Sequence, residues 1–178
     1  MIIVINNRKG GSTMEDSFQS DGLKFPVMFE GDFDGEGLKF GIIVSRFNST
    51  ITERLLEGAL DCLKRHRVGI ENVEIIRVPG SIEVIYALNL LNNSSRYDAI
   101  IVLAAVIQGE TYHFNIVANE IGKAVAQFNM HSKVPITFGV LTTETIDQAL
   151  NRAEIKNGNK GFEAAMAALE MANLRKQF

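Results

Sequence analysis

The sequence predicts a three-layer αβα sandwich built on a four-stranded parallel sheet, and two observations carry that expectation. Apolar runs at 38–45, 99–107 and 135–141 are largely continuous rather than alternating, with a further strand at 73–78, which is the pattern of strands buried on both faces. Helical segments with one apolar stripe lie between them, and strands alternating with helices pack as a parallel sheet covered on both sides. The connections are short and suit right-handed crossovers.

Taken in order, residues 1–25 are rich in Gly, Ser, Asp and Glu and read as a flexible arm, with a single domain over 26–178. Residues 27–33 read as a short strand. After the strand at 38–45, Thr50-x-x-Glu53 resembles a capping box. It opens a helix whose apolar stripe is Leu55, Leu56, Ala59, Leu60 and Leu63. The strand at 73–78 ends at Pro79-Gly80, and Ser81 is the expected cap of a helix running to 91. The strand at 99–107 leads into a helix over 113–128. After the strand at 135–141, Thr142 or Thr143 is expected to cap a helix reaching 153. Gly158 precedes a last helix over 160–174.

Composition excludes several classes. A formal charge of −3 without a Lys/Arg stripe argues against nucleic-acid binding. No apolar run approaches the roughly 20 residues of a membrane span, and the N-terminal Met-Ile-Ile-Val-Ile is too short for a secretion signal. The single Cys62 cannot form an internal disulfide, and no Cys/His cluster has metal spacing. These features describe a cytoplasmic, metal-independent domain. The stretch Asn-Arg-Lys-Gly-Gly-Ser-Thr at 7–13 starts like an ATPase phosphate loop, but no Lys precedes Ser12 or Thr13, so the motif fails.

The chemistry-bearing residues gather where strands end, which is where open α/β sheets bind ligands. Residues 108–114, Gln-Gly-Glu-Thr-Tyr-His-Phe, turn from the third strand into a helix carrying His113 in its first turn. Orphan N–H groups and the helix dipole there favour an anion. An imidazole titrates near pH 6.5 when unperturbed and suits proton transfer, although a lone His in a first turn is more often simply solvated. At the second strand's end, Ser81, Ile82 and Glu83 read either as a tight turn with a capped helix or as acceptors for a polyol or heterocycle. Phe47, after the first strand, is either core or a ring that stacks on a flat ligand. Phe138 has the same ambiguity and leans towards core. Arg152 and Lys160 read as surface cations or as phosphate and ring-charge partners. His66 and His131 read as solvated.

The ordered set of motifs resembles lumazine synthase. The matching stretches are Gly-Ile-Ile-Val-Ser-Arg-Phe-Asn at 41–48, Val-Pro-Gly-Ser-Ile-Glu at 78–83 and Gly-Glu-Thr-Tyr-His-Phe at 109–114. They continue with Pro-Ile-Thr-Phe-Gly-Val-Leu-Thr-Thr at 135–143, Gln-Ala-Leu-Asn-Arg-Ala at 148–153, Gly-Asn-Lys-Gly at 158–161 and Ala-Leu-Glu-Met-Ala-Asn-Leu at 168–174. The resemblance implies a flavodoxin-like sheet with an N-terminal strand, at 27–33, added to a neighbouring subunit. It also implies a transferase of riboflavin biosynthesis. That enzyme condenses 5-amino-6-(D-ribitylamino)uracil with 3,4-dihydroxy-2-butanone 4-phosphate to 6,7-dimethyl-8-ribityllumazine, releasing phosphate and water, with no cofactor.

By the same resemblance His113 transfers protons. Phe47, Asn48, Ser81, Ile82, Glu83, Ala105, Val106 and Ile107 hold the pyrimidine and ribityl chain. Glu110, Thr111 and Arg152 hold the phosphate. Phe138, Arg152 and Lys160 belong to the half-site contributed by a neighbour in a homopentamer, which some members assemble into a hollow shell of twelve pentamers. Three positions depart from the family pattern: Gln108 replaces a cation, Glu110 adds an acid beside the phosphate loop, and Glu154 replaces a glycine. Two rival readings are a shell-forming or flavin-binding protein without the reaction, and a generic binder of phosphorylated ligands.

Overall fold

The computed structural model describes residues 3–4, 27–154 and 158–178. The remainder of the 1–25 arm and the stretch at 7–13 lie outside the described residues. Strands β1 (Ile3–Val4) and β2 (Val27–Met28) pair in parallel with each other. The main sheet contains β3 (Phe40–Ser45), β4 (Val73–Val78), β5 (Ala99–Ile107) and β6 (Ile136–Thr143), in the order β4-β3-β5-β6 and parallel throughout. Helices α1 (Ser49–Arg65), α2 (Glu83–Ser94), α3 (His113–His131), α4 (Ile146–Ala153) and α5 (Lys160–Arg175) cover it. The expected three layers and four parallel strands are present.

Two cores flank the sheet because successive strand residues point to opposite faces. On β5, Ala99, Ile101, Leu103 and Ala105 pack with α1, α4 and α5, while Ile100, Val102, Ala104 and Val106 pack with α2 and α3. This double burial accounts for the unbroken apolar run. Burying each such Val, Leu or Ile is worth about 1.5–3 kcal/mol against exposure, before ordering costs. The order β4-β3-β5-β6 reverses direction between β3 and β5. That topological switch point opens a crevice at the strands' carboxyl ends.

Helix starts differ from expectation in three places. Thr50 and Glu53 form no capping box: the cap position of α1 is Asn48, two residues earlier, and Glu53 pairs instead with Arg77 on β4. That guanidinium holds the Glu53 carboxyl below its ordinary range. Ser81 does not cap α2, whose preceding residue is Ile82 with no side-chain cap bond. The strand β6 continues through Thr143, so Thr145 becomes the cap of α4, accepting from the Gln148 N–H at 3.2 Å. Asn159, not anticipated, caps α5.

The strand expected over 27–33 stops at Met28. Beyond it the Asp34 N–H bonds the Asp32 carboxylate at 3.0 Å and the Glu36 N–H bonds that of Asp34 at 3.1 Å. Such local side-chain partners compete with a strand ladder. Asn173 of α5 then donates to the Asp32 and Asp34 carbonyls at 3.0 and 2.9 Å, holding the segment on the helix end.

His66 is half-buried rather than solvated, its Nδ1 lying 2.8 Å from the Cys62 carbonyl. Cys62 itself is buried among the α1 and α5 side chains, which pushes its thiol up to about 12. Because the thiolate is the reactive form, the native protein should resist thiol reagents at neutral pH and react only once denatured. A colorimetric thiol titration checks this; rapid labelling of the folded protein would contradict the burial.

Candidate active site

The loops that follow the four strands are tied to one another by backbone and side-chain bonds. After β3, the Arg46 and Phe47 N–H groups donate to the Val78 and Pro79 carbonyls at 2.8 and 3.1 Å, joining that loop to the end of β4. Asn48 takes a left-handed backbone conformation (φ 59°), which Asn tolerates better than most residues, and its Nδ2 donates to the Ala105 carbonyl at 2.9 Å. That bond joins the same loop to β5. The Gln108 N–H donates to the Thr143 carbonyl at 2.8 Å, joining the ends of β5 and β6. The rim of the crevice is thereby braced across all four strands.

Burial separates the core readings from the exposed ones. Phe47 is 67% exposed at the mouth of the switch point, so its ring is not core. Ile82 and Glu83 are exposed beside it at the start of α2, while Ser81 is buried. Ala105 is fully buried and offers the crevice no side chain, Val106 is nearly so, and Ile107 is half-buried. Gln108, Glu110 and Thr111 are exposed between β5 and α3. His113 is the first residue of α3, exposed, and makes no side-chain hydrogen bond among the described residues.

Arg152, in the last turn of α4, shares a groove of about 570 Å³ with Gln108, Phe114, Asn115, Thr143 and Glu144. Its Nη1 donates to the Gln148 carbonyl at 3.1 Å, which leaves the rest of the guanidinium fork to the groove. The start of α4 is set by Thr145, whose carbonyl also accepts from the Thr143 hydroxyl at 3.0 Å. Arg152 is therefore close to the β5–α3 turn within one chain, which spacing alone did not reveal.

Phe138 and Lys160 are not brought to this group. Phe138 pairs in register with Val102 in the middle of the edge strand β6 and is 45% exposed, so the leaning towards core does not hold. Lys160 opens α5, on the sheet face opposite α3, and its Nζ pairs with Glu163 at 2.6 Å. Among the described residues no three His, Cys, Asp or Glu side chains group as metal ligands, and no helix is long and apolar enough to cross a membrane.

The fold defines a doubly wound, flavodoxin-like α/β protein with a crevice at the switch point between β3 and β5. Comparison with known proteins narrows that class. The chain belongs to the 6,7-dimethyl-8-ribityllumazine synthase family, whose model matches residues 37–176. A Thermotoga neapolitana protein named 6,7-dimethyl-8-ribityllumazine synthase is 68% identical over 148 residues, covering 83% of this chain and 89% of its own. The protein of that name from Thermotoga petrophila is 66% identical over 150 residues, covering 84% and 91%. That from Kosmotoga olearia is 57% identical over 150 residues, covering 84% and 96%.

Proposed function

We propose that this chain condenses 5-amino-6-(D-ribitylamino)uracil with 3,4-dihydroxy-2-butanone 4-phosphate to 6,7-dimethyl-8-ribityllumazine, releasing phosphate and water. The observation that carries the reading is the exposed turn from β5 into α3, whose His113 makes no side-chain hydrogen bond among the described residues, together with the exposed Phe47 at the end of β3. Family membership supplies the reaction. The chemistry needs an amine to attack a ketone, an imine to form with loss of water, and a phosphate to leave. Each step moves protons, and His113 is the group available to move them.

Phe47 stacks on the pyrimidine, with Asn48, Ser81, Ile82, Glu83, Val106 and the Ala105 and Ile107 backbone around the ring and ribityl chain. Glu110 and Thr111 offer backbone N–H groups to the phosphate, and Arg152 grips it. Holding two reactants in register removes several kcal/mol from a bimolecular barrier. The exposure of Phe138 and Lys160 away from the crevice fits a site completed by an adjacent subunit in a homopentamer, in the cytoplasm. Val27–Met28 is then available to a neighbour's sheet edge. Solution mass by light scattering tests the assembly.

The two-substrate assay, read by the absorbance of the lumazine product, tests the function directly; a well-folded protein that forms no product would overturn it. Arg152→Ala is expected to raise the KM for the phosphorylated ketone by about tenfold, as suits loss of one charge-assisted contact. The KM for the pyrimidine should change little. An unaltered ketone KM would refute the phosphate assignment.

A further inference from the structure

Asn159 is buried, 6% exposed, and every hydrogen-bonding atom of its amide is engaged. Its Oδ1 accepts from the Gly161 and Phe162 N–H groups at 2.8 and 3.1 Å, capping α5. Its Nδ2 donates to the Arg54 carbonyl of α1 at 2.9 Å and to the Ala153 carbonyl at the end of α4 at 2.7 Å. A helix cap needs only the oxygen. The two donations do something further: they join three helices at one amide, next to both late cations. Arg152 precedes Ala153 and Lys160 follows Asn159 in the chain.

The amide lies tightly against α1, and α5 against the same helix. A Cβ on Gly58 of α1 would overlap the Asn159 side chain, and one on Gly161 would overlap the Leu55 backbone. The end of α4 carries Arg152 towards the groove it shares with Gln108, and the Ala153 carbonyl is where that end is held.

We propose that Asn159 is a positioning residue that sets the Arg152 guanidinium for the phosphorylated substrate by fixing the end of α4 against α1 and α5. This rests on the reading of Arg152 as the phosphate partner. Asn159→Asp separates the two jobs of the side chain. A carboxylate still caps α5 but cannot donate, and it repels the Arg54 and Ala153 carbonyls.

The test is a double-mutant cycle between Asn159→Asp and Arg152→Ala, with steady-state constants for both substrates and thermal melting of each variant. In the native background Asn159→Asp should raise the ketone-phosphate KM on the order of fivefold, with kcat and the pyrimidine KM within about twofold, since small misplacement of a binding group is felt strongly. In the Arg152→Ala background the same substitution should add less than about twofold, because residues acting through one contact are not additive. Equal factors in both backgrounds, or a parallel rise for both substrates, would overturn the clamp while leaving Arg152 as the phosphate partner. No response to Arg152→Ala alone would instead overturn the phosphate reading, and the inference with it. Should Asn159→Asp fail to fold, Gly58→Ala presses on the same amide, at the cap oxygen as well as the donating nitrogen, and replaces it in the cycle. Failure of both to fold would make the amide a purely structural tie and overturn the proposal.

Discussion

His113→Ala should lower kcat by about a hundredfold while leaving both KM values within a few-fold, which steady-state kinetics of the purified protein will read. Proton transfer by a placed side chain is typically worth 10²–10⁴ in rate, and the low end of about 10² fits here because the imidazole is exposed, so water can partly replace it. What survives the substitution is the orientation of two bound reactants, so turnover falls without vanishing. The structural cost should be small. His113 begins α3, makes no side-chain hydrogen bond among the described residues, and is not part of either core. A surface change of that kind usually shifts stability by less than about 0.5 kcal/mol, so the melting temperature is the control. Unchanged turnover would remove His113 from the mechanism.

Gly161→Ala should destabilise the protein by about 2 kcal/mol or more, against the ordinary expectation for its type of site. In a helix, replacing Gly by Ala normally helps by up to about 1 kcal/mol. Gly161 lies in the first turn of α5, and its backbone N–H already bonds the Asn159 cap, so propensity alone would favour the change. Packing decides otherwise. The added methyl would occupy the space of the Leu55 carbonyl and backbone in the middle of α1. Backbone within a helix cannot turn aside as a flexible side chain can, so α5 must move away from α1. Leu55, Ala165 and Leu169, all fully buried in that layer, would lose close contact. Chemical or thermal unfolding measures the change, and a variant as stable as the parent would show that the two helices part at little cost. Since Asn159 and Lys160 lie beside the same contact, the surviving folded fraction should also bind substrate less well.

Much of the fold was legible in the chain because its cause is local. The 99–107 run is the strand itself, since burial on both faces leaves no alternation to blur, and 73–78 coincides with β4 although that edge strand is mostly exposed or half-buried. The strand ends also announced the site: the switch in periodicity after Ile107 marks the turn that carries His113. The helix caps were less legible. Thr50, Ser81 and Thr142 or Thr143 have the right chemistry, yet a hydroxyl caps only if the backbone enters the helix at that residue. One extra pair of ladder positions on β6, Val106 with Thr142 and Ile107 with Thr143, moved the start of α4 to Thr145. Residues 27–33 carried strand-forming side chains, but Asp32 and Asp34 bonded their own backbone and the segment settled on α5 instead.

For the site, residue type could nominate Phe47, Glu83, His113 and Arg152, but not their relations. Phe47 and Phe138 are alike in sequence and separable only by where each faces, the first at the crevice mouth and the second on an outer edge. Asn48 and Asn159 gave no sequence signal for the bonds they make, because their partners Ala105 and Arg54 stand 57 and 105 residues away. The sequence by itself determined the strands, the helices between them and the chemical groups at the strand ends, since these follow from periodicity and side-chain type. Only the tertiary structure decided which amide braces which loop and that Arg152 meets Gln108 in one groove, because such partners are chosen by distances across the fold.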